Sequence, residues 1–137
     1  MKRILIGLAL LAAACTDSAG GNSSGFRTFT GVRVNPINEA VFEVIPIPAS
    51  VEEQFWCGAG EYARRVLGAP QNAQVYVVSG VGPGLTMQTK SAAQFSLSPQ
   101  ASGASGVQGT WGPRLGDNKF VGDASRKCNR DPNRFTP

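Results

Sequence analysis

The chain has 137 residues, of which 42% are hydrophobic and 16% charged, with three cysteines and no histidine. The length corresponds to one domain. The lack of histidine excludes a Ser-His-Asp or Cys-His catalytic unit and a His-ligated zinc. The net charge of +4 falls to +2 without residues 1–14, because Lys2 and Arg3 leave eleven basic against nine acidic residues. A nucleic-acid partner is therefore not predicted, and no motif predicts a cofactor.

Residues 1–14 predict a secretory signal peptide. Lys2 and Arg3 precede an apolar run over residues 4–14, which is too short to cross a hydrocarbon core of about 30 Å. The chain that follows, residues 15–25, is rich in Ser and Gly and predicts a flexible tether.

The end of this signal, Leu11-Ala12-Ala13-Ala14-Cys15, resembles the lipobox of bacterial lipoproteins, with Ala12 at the position where leucine is commonest. The resemblance implies diacylglyceryl transfer to Cys15, cleavage before it and anchoring by lipid chains such as palmitate. Thr16 after the lipidated cysteine favours the outer membrane. The alternative is ordinary cleavage after Ala14, which would release a soluble periplasmic or secreted protein.

The other two cysteines, Cys57 and Cys128, form an even pair once Cys15 is lipidated. In an oxidising compartment we expect them to form a disulfide, with two free thiols as the alternative. The bond would tie the C-terminal tail to the predicted helix.

The mature chain predicts an α+β fold of order ββαββ, with one helix on a mainly antiparallel four-stranded sheet, over residues 26–98. The four strands are predicted at 26–34, 39–46, 74–79 and 91–97, with a turn at 35–38 between the first two. Residues 51–67 predict the helix, capped by Ser50 with Glu53. Its Gly58 and Gly60 predict a close approach to the sheet. Residues 99–137 predict a Gly-rich irregular loop and a basic tail.

No catalytic constellation and no metal site are predicted. Glu43 and Glu61 are a conceivable acidic pair, but nothing in the sequence singles them out. The candidate contacts for an anionic ligand or partner are Lys90, near the Gly-rich loop, and Arg126, Lys127 and Arg130 in the basic tail.

One stretch, residues 55–65 together with Val75-Tyr76-Val77 and Gly82-Pro83-Gly84, resembles a group of small bacterial envelope proteins of unknown function. That resemblance implies no activity and no site residues. The sequence predicts a lipoprotein of the bacterial envelope that faces the periplasm and acts as a non-catalytic binding or accessory module. Its predicted partners are the membrane, through the lipid, and an envelope protein or the cell wall. The alternative is a secreted periplasmic enzyme or enzyme inhibitor that uses the 80–90 loop or the basic tail.

Overall fold

The computed structural model describes residues 25–48 and 51–129, and within them it has an α+β fold. Six strands form one antiparallel sheet of order β1-β2-β3-β5-β4-β6. Because β3 and β4 each pair antiparallel with β5, they run parallel to one another on either side of it. The elements are β1 Phe26–Arg27, β2 Arg33–Pro36, β3 Phe42–Ile45, α1 Glu52–Arg65, β4 Gln74–Gly82, β5 Ala92–Ser96, β6 Asn118–Phe120, α2 Val121–Arg126 and a 3₁₀ turn Lys127–Asn129.

The N-terminal segment forms a hairpin, so the prediction of one strand over 26–34 is wrong. Strand β1 pairs antiparallel with β2, and the chain reverses between them. The turn is closed by hydrogen bonds from the Thr28 amide to the Val32 carbonyl and from the Gly31 amide to the Thr28 carbonyl. Gly31 has φ 95°, which a residue without a Cβ adopts at little cost. Residue types common in strands continue through the turn, so the sequence pattern does not indicate this reversal.

The second reversal, between β2 and β3, agrees with the predicted turn but lies slightly further along the chain. The Ile37 amide donates to the Val41 carbonyl. The side-chain Oδ1 of Asn38 accepts from the amides of Ala40 and Val41, both at 2.8 Å. Asparagine is favoured in such turns because its side chain replaces a backbone acceptor.

The predicted helix is confirmed as α1, which spans Glu52–Arg65. Its N-cap is Val51, without a side-chain hydrogen bond, and the predicted cap Ser50 lies outside the described residues. Gly58 approaches the sheet closely, as predicted, since a Cβ there would lie 2.6 Å from the nearest methyl of Val44 on β3. The same prediction is wrong for Gly60, since a Cβ there would meet the backbone of α2.

The chain beyond residue 98 is not irregular throughout, and the prediction of four strands and one helix is wrong in this detail. Strand β6 pairs with β4, and α2 packs against α1. Strand β4 also continues to Gly82 instead of ending at residue 79. Beside it, the Gly80 amide donates to the Val107 carbonyl at 2.6 Å. A Cβ on Gly80 would collide with the Gln108 carbonyl, so this glycine allows the later segment to approach.

The hydrophobic core lies between α1 and one face of the sheet. It includes Phe55 and Trp56 on the helix and Phe42 and Phe95 on the strands, with Val121 from α2. Cys57 and Cys128 form a disulfide with a Cα–Cα distance of 4.7 Å, so the predicted bond is present and ties the turn after α2 to α1. Within residues 25–48 and 51–129, no helix is long and apolar enough to span a membrane.

Candidate ligand-binding groove

The sheet face opposite α1 carries a row of polar side chains. Phe42 and Val44 contact α1, and alternate residues of a strand point to opposite faces, so Glu43 points away from the helix. The strand registers place Asn35 beside Glu43, Glu43 beside Gln94 and Gln94 beside Ser79. Glu43, Gln94 and Ser79 are buried, because loops cover them.

Glu43 holds the first covering loop, residues 83–90. One carboxylate oxygen accepts the Leu85 amide at 2.8 Å. The other accepts the Thr86 amide at 3.0 Å and the Thr86 hydroxyl at 2.6 Å. The Asn35 side-chain amide donates to the same hydroxyl. A buried carboxylate needs such donors, and here they fix the position of the loop.

Gln94 and Ser79 hold the second covering segment, residues 104–109. Gln94 donates through its side-chain amide to the Ser105 hydroxyl at 2.9 Å and accepts the Ser105 backbone amide at 2.8 Å. The Ser79 hydroxyl accepts the Val107 amide at 2.9 Å. This face of the sheet is therefore covered by two loops, which are held by hydrogen bonds to the polar row.

Glu61, the other acid considered from the sequence, lies on α1 and also has a structural role. Its carboxylate accepts the Ser125 hydroxyl of α2 at 2.6 Å and pairs with Arg64 at 3.0 Å. Glu43 projects from the opposite face of the sheet. The two carboxylates therefore do not face one cleft, which paired acid–base catalysis needs.

An open groove lies where β6 and α2 meet the start of β4. Its volume is about 510 Å³, and its walls carry amide, aromatic and charged side chains from three separate segments: Gln74, Asn118, Lys119, Phe120, Asp123, Arg126 and Lys127. A smaller neighbouring cavity of about 130 Å³ is lined by Glu52, Glu53, Trp56, Lys119 and Lys127. Lys119 and Lys127 belong to both cavities.

The side chains that line the groove have a net positive charge, while Glu52 and Glu53 lie beside two of its lysines in the neighbouring cavity. Arg126 is paired with Asp123 at 3.0 Å, so Lys119 and Lys127 carry the excess. The Lys119 ammonium lies 5.0 Å from the centroid of the Trp56 ring, a cation–π contact that favours one position of the charge. Gln74 is held too, because its Oε1 accepts the Tyr76 hydroxyl at 2.7 Å. The arrangement suits an anionic group such as a carboxylate or phosphate.

The residues predicted as ligand contacts do not all meet here. Arg126 and Lys127 line the groove. Lys90 is exposed at the end of the 83–90 loop, just before β5, and does not line it. Arg130 and the proposed lipidation site Cys15 lie outside the described residues.

The sequence gives little sign of Lys119, Trp56, Gln74 or Asn118 as site residues. Trp56 fits the apolar stripe of α1 and is indeed buried, so its second contact, with Lys119, does not show in the helical spacing. The only local indication of the site is the charge run that contains Arg126 and Lys127. The remaining walls depend on the pairing of β6 with β4.

Across residues 25–48 and 51–129, no group of three or more Cys, Asp or Glu residues is placed to hold a metal ion. Burial raises the pKa of Tyr62 above its ordinary value of 10.0, because the phenolate is poorly solvated in the core. This tyrosine packs against Phe26 and Phe42 and belongs to the core.

Comparisons of the chain with protein-family models, curated proteins and solved structures find no match.

Proposed function

We propose that the chain is an exported lipoprotein of the bacterial envelope, anchored through Cys15. The observation that carries the proposal is the disulfide between Cys57 and Cys128. Structural disulfides are formed and kept in oxidising compartments. The bond also accounts for two of the three cysteines, so Cys15, at the end of the predicted signal, is the one left for acylation.

Lipidation is tested in cells fed an alkyne analogue of palmitate. We expect the label to enter the wild-type protein and the mature mass to begin at Cys15 with added acyl chains. Cys15→Ser is the matched control and should carry no label. An unmodified wild-type protein that begins at residue 15 would contradict anchoring and favour ordinary cleavage after Ala14.

The proposed location is the outer membrane, facing the periplasm. Its support is Thr16, which follows Cys15 and lacks the negative charge associated with retention in the inner membrane. Separation of the two membranes by density should place the protein in the outer fraction. Recovery only from the inner membrane would contradict this placement.

The proposed role of the folded domain is non-catalytic binding of an acidic envelope partner in the groove. Lys119 and Lys127 give the groove its positive charge, and the amides of Gln74 and Asn118 add hydrogen-bonding groups. Carboxylates of the cell wall have the complementary chemistry. Because these charges are accessible to solvent, each contact contributes about 0.2–1 kcal/mol, and a stable complex needs several of them.

Binding is tested by sedimentation of the purified protein with purified peptidoglycan. Replacing both Lys119 and Lys127 by Gln should weaken binding by up to about 30-fold, and added salt should weaken wild-type binding. Arg114→Gln, an exposed cation outside the groove, is the control and should leave binding unchanged. Equal binding by the double variant and the wild type would exclude the groove.

The second candidate is a released enzyme inhibitor, and the geometry of the 83–90 loop favours it. Glu43 fixes the backbone of Leu85 and Thr86, while the Leu85 side chain is 59% exposed. A rigid loop that presents an apolar side chain loses little conformational entropy on binding. This candidate predicts a soluble protein whose inhibition of a periplasmic enzyme is lost in Leu85→Ala. Complete recovery with membranes would contradict it.

A further inference from the structure

The outer side of β6 carries backbone groups that no strand within residues 25–48 and 51–129 uses. Strand β6 is the last in the sheet order and pairs with β4. The Val77 amide donates to the Asp117 carbonyl at 2.8 Å, on the β4 side. The Val121 amide donates to the Ala73 carbonyl at the same distance. Because alternate residues of an antiparallel strand bond to the same neighbour, the odd-numbered residues of 117–121 bond toward β4.

The two residues between them, Asn118 and Phe120, therefore direct their backbone groups away from β4. The Phe120 carbonyl is already used, because Phe120 is the N-cap of α2 and the N-cap carbonyl accepts the first bond of a helix. The Asn118 amide, the Asn118 carbonyl and the Phe120 amide then point outward. Both residues are exposed, so a second extended chain has access to these three groups.

The groove lies along this outer side of β6. Lys119 contacts Trp56, so its side chain lies on the α1 face of the sheet, and the side chains of Asn118 and Phe120 lie on the other face. All three residues of β6 line the groove, and the two faces of the sheet meet at its edge. An extended chain in the groove would therefore lie beside the backbone of β6.

The side chains around the groove select the chemistry of such a chain. Lys119 and Lys127 provide positive charge on the side of α1, and Glu52 and Glu53 line the smaller cavity but not the groove. On the other face, Phe120 is 47% exposed. Residues directly opposite one another in a sheet share a face, so an acidic residue beside Lys119 and an apolar residue beside Phe120 are favoured. A second copy of β6 would instead bring lysines together, which opposes pairing.

We propose that β6 is extended by a strand from an acidic envelope protein whose acidic and apolar side chains alternate. The inference rests on the proposed role of the groove as the site of an acidic partner, and it identifies that partner as an extended polypeptide. The backbone of the added strand bonds to Asn118 and Phe120, as in recognition by strand addition. Its acidic side chains contact Lys119 and Lys127, and its apolar side chains cover the Phe120 ring.

The test uses the purified mature protein and a synthetic peptide of alternating glutamate and valine, blocked at both ends. We expect the peptide to bind and to slow hydrogen exchange of the Asn118 and Phe120 amides about tenfold. The Lys119 amide faces β4 and is the internal control, with an unchanged rate. Lys119→Gln should weaken binding up to about fivefold, and Arg114→Gln, outside the groove, should leave it unchanged.

Methylation of the peptide nitrogens separates strand addition from attraction between charges alone. Alternate amides of a strand point the same way, so one alternate set bonds to β6 and the other faces solvent. Which set bonds depends on whether the added strand runs antiparallel or parallel to β6. We expect methylation of one set to weaken binding about tenfold and methylation of the other set to leave it unchanged.

Three results would overturn strand addition by an acidic chain. The first is an equal effect of the two methylated peptides, or exchange at Asn118 that the peptide does not slow. The second is equally tight binding of a peptide of alternating lysine and valine. The third is dimerisation of the protein alone with a protected Asn118 amide, which would make a second copy the occupant. The proposed function is read separately, since loss of peptidoglycan binding on replacement of Lys119 and Lys127 does not depend on strand addition.

Discussion

Replacement of Glu43 by Gln should release the 83–90 loop and lower the stability of the domain. The carboxylate is fully buried and accepts two backbone amides and one hydroxyl. Glutamine keeps the size of the side chain but has only one oxygen. Its NH₂ group must face the amide of either Leu85 or Thr86, donor against donor.

The magnitude follows from that lost acceptor. A buried donor without a partner costs about 1–3 kcal/mol, whereas the Thr86 hydroxyl can rotate and accept a hydrogen bond from the new NH₂. We therefore expect Glu43→Gln to lose about 2 kcal/mol of unfolding free energy. Local opening of the loop should become about 30-fold more frequent, which is the same free energy expressed as an equilibrium constant.

Urea denaturation and amide hydrogen exchange measure the two effects. Glu39→Gln is the control, since Glu39 is exposed in the β2–β3 turn, and it should change stability by less than about 0.5 kcal/mol. Glu43→Gln within that same range would refute the argument. So would a clear loss of global stability while the Leu85 and Thr86 amides exchange at the wild-type rate.

Three further predictions concern the core. Joint replacement of Cys57 and Cys128 by Ala should lower the unfolding free energy by about 4 kcal/mol, because the bond closes a loop of 71 positions. A loss below about 1 kcal/mol in urea titrations would contradict this. Gly58→Ala should cost about 1–3 kcal/mol by overpacking against valine methyls, and Gly60→Ala should cost more because its Cβ meets backbone; the reverse order of urea midpoints would refute the comparison. Because burial raises the pKa of Tyr62, the neutral side chain contributes its full share to the free energy of unfolding below about pH 10. This contribution is lost as pH rises through the pKa of Tyr62 in the folded protein. Tyr62→Phe should lack this alkaline loss, and identical alkaline stability profiles of variant and wild type would exclude it.

Elements defined by local patterns are the ones that the sequence predicts well. Helix α1 and strand β5 lie within their predicted ranges, 51–67 and 91–97, because apolar spacing and flanking Gly or Pro residues mark them. The hairpin at 26–34 is missed because its strand-forming residues continue through the turn. Strand β6 has three residues and is defined by its pairing with β4, more than 40 positions earlier, which no local pattern records.

The residues of the candidate groove can likewise be predicted only where a local sequence pattern marks them. Arg126 and Lys127 are found from sequence because they form part of a charge run. Lys119 is isolated in the sequence, and only the β4–β6 register and the packing of α1 bring it to Gln74 and Trp56. The roles of Glu43 and Glu61 also depend on tertiary contacts, since Leu85 and Thr86 lie more than 40 positions from Glu43 and Ser125 lies 64 positions from Glu61.

The late position of β6 in the chain has a consequence for folding. The outer edge of β4 is covered by β6 at Gln74–Tyr76, and β6 ends 38 residues after β4. Until this C-terminal segment has docked, that edge of β4 has no partner strand. An unpaired strand edge is a template for joining another chain, so a folding intermediate that lacks β6 is more exposed to aggregation than the finished molecule.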